Sequence, residues 1–362
     1  MFLSAKTPLV AIDIGSHSVK VAQLAKSGED YELLSFGMMP LESETLVDGI
    51  IKKEDVVVDA IGKLLKAEKI QVKYCVASVS GEAVIVKKIN VPMKSHAELS
   101  QSINQEAEQY IPFDIDDVSV DFQILGRSKK PVEALGDGQN EPDKSDMMEI
   151  LLVAVQKELI DNRVNVLMDC GLKPVIVDLD VFALVNALAI SRDLNHTGTT
   201  ALIDLGASFT HMNIISDGLT AFTRDIPMGG LLCTQKLMSE FGVLYPEAEA
   251  FKQGKIPESV TKESVVQVIG DAFVKLAEEI RKSLEFFNTT STNKVGRIFI
   301  SGGGALVPGA NHLFQDKLGV PVELLNPCIK VNPKKFDREF VSQICPIAAV
   351  AIGLATRKFD YK

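Results

Sequence analysis

The stretch VAIDIGSHSVK at residues 10–20 recurs midway down the chain as ALIDLGASFTH at residues 201–211. Aligned without gaps, Asp13 falls on Asp204, Gly15 on Gly206, Ser16 on Ala207 and Lys20 on His211. Each copy reads as a buried apolar strand ending in Asp, then an aliphatic residue and a Gly, then small or hydroxylated residues entering a second strand. A glycine at that point lets the backbone approach a ligand with no Cβ in the way. Successive N–H groups in such a turn form a concavity suited to phosphate oxygens. A carboxylate beside phosphate is repelled unless a cation intervenes, so Asp13 and Asp204 imply Mg²⁺ held through its waters. One such stretch alone reads first as an ordinary β-hairpin. Two in register, each leading one half of the chain, point to duplicated halves that meet at a ligand cleft.

The bulk properties narrow the class. A chain of 362 residues allows two or more domains, and 46% apolar residues suffice for a sizeable core. Net charge is −10 and the basic residues are scattered, which argues against nucleic acid as the main partner. An anionic ligand in a local pocket stays compatible with that balance. Cysteines stand at 75, 170, 233, 328 and 345, with no CxxC pair. Neither a disulfide frame nor a zinc site is expected, and a reducing cytoplasm fits. The histidines are dispersed, and His211 stands inside a motif. MFLSAKTPLV is too short and weakly apolar for a signal peptide, and no apolar run reaches the ~20 residues of a membrane span.

Along the chain, strands after Lys20 form a meander and residues 53–69 read as a helix, with Val57, Ile61, Leu64 and Leu65 at helical spacing. YCVASVSG, 74–81, is a strand stopped at a Gly turn. The next segment has its own logic: strand AVIVKKINVP, a helix from His96 that Ser95 caps with Glu98, a strand through VSVDFQIL, and a returning strand MMEILLVAVQ. Between the last two lies GRSKKPVEALGDGQNEPDKSD, 126–146, a polar Gly- and Pro-rich loop expected to be mobile. A helix over 157–170 closes at Gly171. KPVIVDLDVFALVNALAI, 173–190, is a strand running into a helix near Asp180. After the second hairpin, LTAFTRDIPMGG ends in Gly229 and Gly230 and opens a helix, and a long helix spans residues 264–287. The boundaries expected are 1–82 and 171–197 for a first lobe, 83–170 for an insertion, 198–345 for a second lobe, and 346–362 for a helix returning to the first.

Three further motifs carry chemistry. ISGGGALVPG places Gly302, Gly303 and Gly304 between strand and helix, admitting a flat or anionic group; such loops also serve only to turn. Glu278, Arg281 and Lys282 share a helix face and read either as a solvated charge patch or as ribose and adenine contacts. Asp178 and Asp180 alternate at a strand end, so one caps the helix while the other can hold a water near a terminal phosphate. Asp180 is the first candidate for that role and Asp178 the second.

Hairpin, strand–helix with an acid, second hairpin and Gly-rich loop come in the order of the actin and sugar-kinase ATPase superfamily. DIGSHSVK and DLGASFTH resemble its two phosphate loops, the second down to its Thr210–His211 ending. VDLDVFALVNA resembles its first connecting segment and SGGGALVPG its adenosine loop. Glu278, Arg281 and Lys282 resemble the base contacts of its chaperone branch. Within the superfamily the chain is similar to the PilM family of type IV pilus assembly. INQEAEQYIPFDIDDVSVDF, EIRKSLEFF and ISGGGALVPGANHLFQDKLGVPVELLNP carry the likeness, which runs from Leu9 to about Arg357. The layout is also similar to FtsA.

The resemblance implies an α/β, actin-like (ribonuclease H-like) duplicated two-lobed fold with a small inserted FtsA-type α+β subdomain. It implies ATP with Mg²⁺ between the lobes, held by Asp13, Gly15, Ser16, His17, Ser18, Lys20, Asp204, Gly206, Ala207, Ser208, Thr210, Gly229, Gly230 and the three glycines from 302. It implies a cytoplasmic adaptor with weak or no ATPase activity, peripheral to the inner membrane. Such an adaptor binds the N-terminal segment of PilN in a groove near 74–125 and reaches PilO, PilP and the pilus motor ATPases through it, self-association being possible. The alternatives are a small-molecule kinase of the same superfamily and a filament-forming FtsA-like protein.

Overall fold

Val10–Ile14 is buried at every position, and its side chains alternate between two cores: Ala11 faces one, Val10, Ile12 and Ile14 the other. A strand covered on both faces has no polar side, which is why VAIDI reads as a nearly unbroken apolar run. The computed structural model describes residues 7–127, 147–334 and 336–359.

Two sheets share one topology. In the first, Val10–Ile14, Ser18–Ser27 and Asp30–Pro40 form an antiparallel meander. Tyr74–Val79 then lies parallel to Val10–Ile14, and Lys173–Leu179 parallel to Tyr74–Val79. In the second, Thr200–Leu205, Thr210–Ser216 and Leu219–Ile226 form the meander, with Arg297–Ser301 and Val322–Leu324 added in parallel on the other side. The duplication holds to the residue: Asp13 pairs with Lys20 in one sheet and Asp204 with His211 in the other. Val331–Asn332 adds an edge strand to the first sheet.

One core joins the inner faces of both sheets. Ala11, Ala22 and Val76 from the first and Leu202, Ile215 and Phe299 from the second pack around helices Asp180–Ser191 and Ala349–Ala355. The two helices cross so closely that a Cβ on Gly353 would collide with the carbonyl of Ala183. On the outer faces, Glu54–Ala67 covers the first sheet and the long helix Lys262–Thr290 the second. The C-terminal helix occupies Ala349–Ala355, shorter than the span expected, and follows a separate helix, Arg338–Ile344.

The chain divides into two units, 1–81 with 162–362, and 82–161. The second holds a three-stranded antiparallel sheet with Met147–Gln156 between Val84–Pro92 and Val118–Arg127. Helix His96–Ala107 packs on it through Leu99 and Ile103, and Ser95 and Glu98 close its N-terminus as a reciprocal capping box. This unit ends at Asp161 rather than at 170. The rest of helix Lys157–Asp169 belongs to the larger unit, where Val166 and Leu167 join the core around Val10 and Ile12. Of the polar loop expected over 126–146, Gly126 and Arg127 belong to a strand and the remainder lies outside the described residues. No single described helix is long and apolar enough to cross a membrane. Cys328 and Cys345 are joined as a disulfide, one bridge where no disulfide frame was expected. Seventeen residues apart and far from any CxxC pattern, they meet only because the chain folds back between Val331–Asn332 and Ala349–Ala355.

Candidate functional site

Strands ending at the same edge of a sheet deliver their turns to one place. The two sister hairpins do so from two sheets, and their turns line a single cavity of about 330 Å³ within the larger unit. Its wall includes Asp13, Gly15, Ser16, His17, Ser18 and Lys20 from the first hairpin, and Asp204, Gly206, Ala207 and His211 from the second. Asp180, Gly230 and the three glycines 302–304 complete the sequence-derived part of the lining.

The first turn is closed by Gly15 N–H donating to the Ser18 carbonyl at 3.1 Å. The second is pinned from behind, where Gly230 N–H and Leu231 N–H donate to the carbonyls of Gly206 and Ala207 at 2.8 and 2.9 Å. Gly229 backs this contact without facing the cavity; a Cβ there would come within 2.5 Å of both carbonyl oxygens. Gly302 has φ +83°, and a Cβ on it would come within 2.6 Å of the Leu205 carbonyl. Both positions therefore require glycine, for space and, at 302, for conformation.

The floor is a buried lattice of charge. Lys20 Nζ donates to Asp13 Oδ2 at 3.0 Å. Burial works against the Lys20 charge, but Asp13, Asp204 and Asp180 outweigh it and hold its pKa above the ordinary value. Burial pushes the Asp204 carboxyl up, against the pull of His211 and of Ser301, whose hydroxyl donates to Asp204 Oδ1 at 2.7 Å. His211 contacts Asp225 through Nδ1 at 2.8 Å and Asp180 through Nε2 at 3.6 Å. Burial opposes its charge, yet Asp225, Asp180 and Asp204 carry its pKa to about 10, so it is an imidazolium at neutral pH. Asp180 begins helix Asp180–Ser191 and also accepts from the Ser78 hydroxyl.

Asp13 and Asp204 each keep one oxygen with no protein donor among the described residues. No described group of three His, Cys, Asp or Glu side chains is close enough to cage a metal ion. The arrangement fits Mg²⁺ reached through water and carried in with a ligand, not a directly ligated ion.

Several sequence candidates lie elsewhere. Asp178 is engaged by Arg357, whose Nε donates to Oδ2 at 2.6 Å, and is not part of the cavity lining. Glu278, Arg281 and Lys282 do not line the cavity: all three are exposed, Arg281 pairing with Glu285 and Lys282 with Glu279. Thr210 donates to the Met228 carbonyl at 2.8 Å, and Ser208 is half-buried off the lining.

The short helix Tyr245–Lys252 takes the place expected of the long one. Tyr245, Glu249, Lys252 and the following Gln253 face the cavity. The Tyr245 hydroxyl contacts His17 Nδ1 at 3.1 Å, and Lys252 Nζ donates to Glu249 and Thr234 at 2.9 and 3.0 Å. Burial lowers the His17 pKa below its ordinary value. Arg163, on helix Lys157–Asp169, also lines the cavity and was not singled out by any motif.

The family model for type IV pilus assembly protein PilM matches residues 11–359. Among solved structures, the chain is similar to the PilM–PilN type IV pilus biogenesis complex, with TM-score 0.82 and 26% identity over 97% of this chain and 98% of that one. It is also similar to the ethanolamine utilization protein EutJ from Carboxydothermus hydrogenoformans, with TM-score 0.56 and 14% identity over 96% of this chain and 89% of that one. The cell division protein FtsA of Bacillus subtilis (strain 168) is 24% identical over 351 residues, covering 88% of this chain and 78% of FtsA. With its duplicated actin-like fold, the chain belongs to the PilM family of type IV pilus assembly proteins.

Proposed function

We propose that the cavity binds ATP with Mg²⁺ and that the protein is a nucleotide-gated adaptor for PilN. The observation that carries this reading is the register: Asp13 opposite Lys20 and Asp204 opposite His211, on sister turns that line one cavity with the glycines 302–304. In it, the N–H groups of the two turns hold the β- and γ-phosphates, Ser16 and Ser18 assist, and Lys20 offsets the phosphate charge. Asp13 and Asp204 would hold Mg²⁺ through its waters, where it would offset the charge of the triphosphate. Adenine and ribose lie against Gly302, Gly303 and Gly304, with Tyr245, Glu249, Lys252 and Gln253 on the facing wall.

Asp180, held between Ser78 and His211, orients a water near the terminal phosphate. Both of its oxygens are engaged, one by the Ser78 hydroxyl and one by His211, so it orients water rather than deprotonating it, and hydrolysis is slow or negligible. ATP then acts as a ligand that favours the closed form of the cleft, by its differential affinity for the two forms.

The adaptor role is supported by family membership and by the likeness to a PilM–PilN complex. In this reading the small unit, whose sheet has Val84–Pro92 and Val118–Arg127 at its edges, captures the extended N-terminal segment of PilN. PilN brings the protein to the inner membrane and links it to PilO, PilP and the pilus motor ATPases.

The test is a titration of the full chain with a synthetic PilN N-terminal peptide, with and without ATP·Mg²⁺, while phosphate release is followed. Peptide affinity is expected to rise roughly 5-fold or more with ATP, a usual size for coupling between sites. Turnover is expected to stay slow. No peptide binding in either condition contradicts the adaptor, and brisk turnover raised by a small sugar favours a kinase.

A further inference from the structure

Each of the other cavity cations lies against a carboxylate: Lys20 on Asp13, His211 on Asp225, Lys252 on Glu249. Arg163 does not. It is 3% exposed, lines the cavity, and its Nε and Nη1 are buried with no hydrogen-bond partner among the described residues. A guanidinium cannot shed its proton to escape burial, and a buried charge left unpaired is costly to a fold. Its planar fork of donors matches the oxygens of a phosphate. The charges it senses, once burial is counted, are those of Asp180 and Asp13, which line the same cavity.

The helix turn that carries it is firmly placed. The preceding residue, Asn162, accepts from Ile51 N–H at 2.8 Å and donates to the Ile51 carbonyl at 3.2 Å and to Glu54 at 3.1 Å. Leu159, Val166 and Leu167 bury the same helix face one turn to either side. The helix itself starts in the small unit and ends in the larger one, with the division at Asp161 and Asn162.

Taking the cavity as a nucleoside triphosphate site, the reading on which this rests, we infer that Arg163 is its terminal-phosphate reader. It donates to γ-phosphate oxygens, distinguishes triphosphate from diphosphate, and reports the difference to the helix that leaves the small unit. The fold tolerates an unpaired buried cation because the ligand supplies the partner. No change of bonding is involved; the γ-phosphate is bound, not transferred.

The experiment compares ATP and ADP, each with Mg²⁺, on the full-length wild type, Arg163→Met and Arg163→Lys, by calorimetric titration, with thermal melts of the ligand-free proteins. Arg163→Met is expected to weaken ATP by about tenfold or more, the effect of losing a charge-assisted contact, and ADP by less than about threefold. Its ligand-free form is expected to melt no lower than wild type, since it loses an unpaired buried charge. Arg163→Lys keeps the charge without the fork and is expected to fall between. A merely structural arginine predicts the opposite pattern, a lower melting point with the ATP-to-ADP ratio unchanged. An unchanged ratio in Arg163→Met overturns the inference while leaving the nucleotide site intact. If Arg163→Met does not fold, an unchanged ratio in Arg163→Lys does the same. A wild type that binds neither nucleotide overturns the site reading and the inference with it.

Discussion

His211 carries a buried charge in the cleft that couples stability to pH. Its folded pKa of about 10 lies above the ordinary 6.5, so its stabilising contribution is complete below pH 6.5 and is lost as pH rises toward 10. Melting temperature is therefore expected to fall from pH 6.5 to about pH 8.5, above which unfolded-chain thiols begin to ionise and add their own slope. The fall should be shallower in His211→Gln, which keeps a donor for Asp225 but carries no titrating charge. Parallel slopes in the two proteins would remove the imidazolium from the account. His211 was legible in the sequence because it ends a motif. Arg163 was not, although a signal existed: it stands four residues after Leu159 and three before Val166, on the apolar face of its helix. A charge on that face is either a misfit or a ligand contact, and periodicity alone does not say which.

Among the elements, hairpins were the easiest to read. Both ends of a hairpin lie within about ten residues, so register follows from local pattern, and the Asp13–Lys20 and Asp204–His211 pairs fall where the aligned text puts them. The choice between two helices was not local. Glu278, Arg281 and Lys282 share a face, but Ala272, Phe273, Leu276, Ala277 and Ile280 turn that helix's other side into the core and leave the trio in solvent. Helix Tyr245–Lys252 carries a similar acid–base spacing, Glu249 and Lys252, and reaches the cavity because Ala248 and Phe251 anchor it to the same core. The Cys328–Cys345 disulfide was invisible for the same reason, since it depends on where the chain returns.

A second element-level contact gives a sharp test. Gly353 meets the Ala183 carbonyl at the crossing of the two helices between the sheets. Gly353→Val forces those helices apart and is expected to cost roughly 3 kcal/mol, read as a lower denaturant midpoint. An unchanged midpoint would mean that the helices do not cross at that position.

At the scale of the whole molecule, duplication is the organising fact. Two sheets of the same strand order share a core with two helices between them, and each contributes one turn to the same cavity. The sequence shows the duplication because each half repeats the Asp–Gly turn. It shows the insertion because helix- and strand-forming text interrupts the first half. The division at Asp161 was harder to see, because one unbroken helical pattern crosses it and only tertiary packing assigns its two ends. Asp178 illustrates the same limit. Next but one to Asp180 in sequence, it is drawn off by Arg357 from the far end of the chain.

Gly303 tests the central claim most directly. It is exposed on the cavity wall, and a Cβ there would meet no atom within 4 Å, so Gly303→Val adds bulk where a ligand would lie without disturbing the backbone. The measurement is a titration of ATP·Mg²⁺ onto wild type and Gly303→Val, with melting curves of both. The account predicts saturable one-to-one binding by the wild type, and loss of that binding in a variant that melts at the wild-type temperature. Equal affinity in the two proteins, or no binding by the wild type, would contradict it.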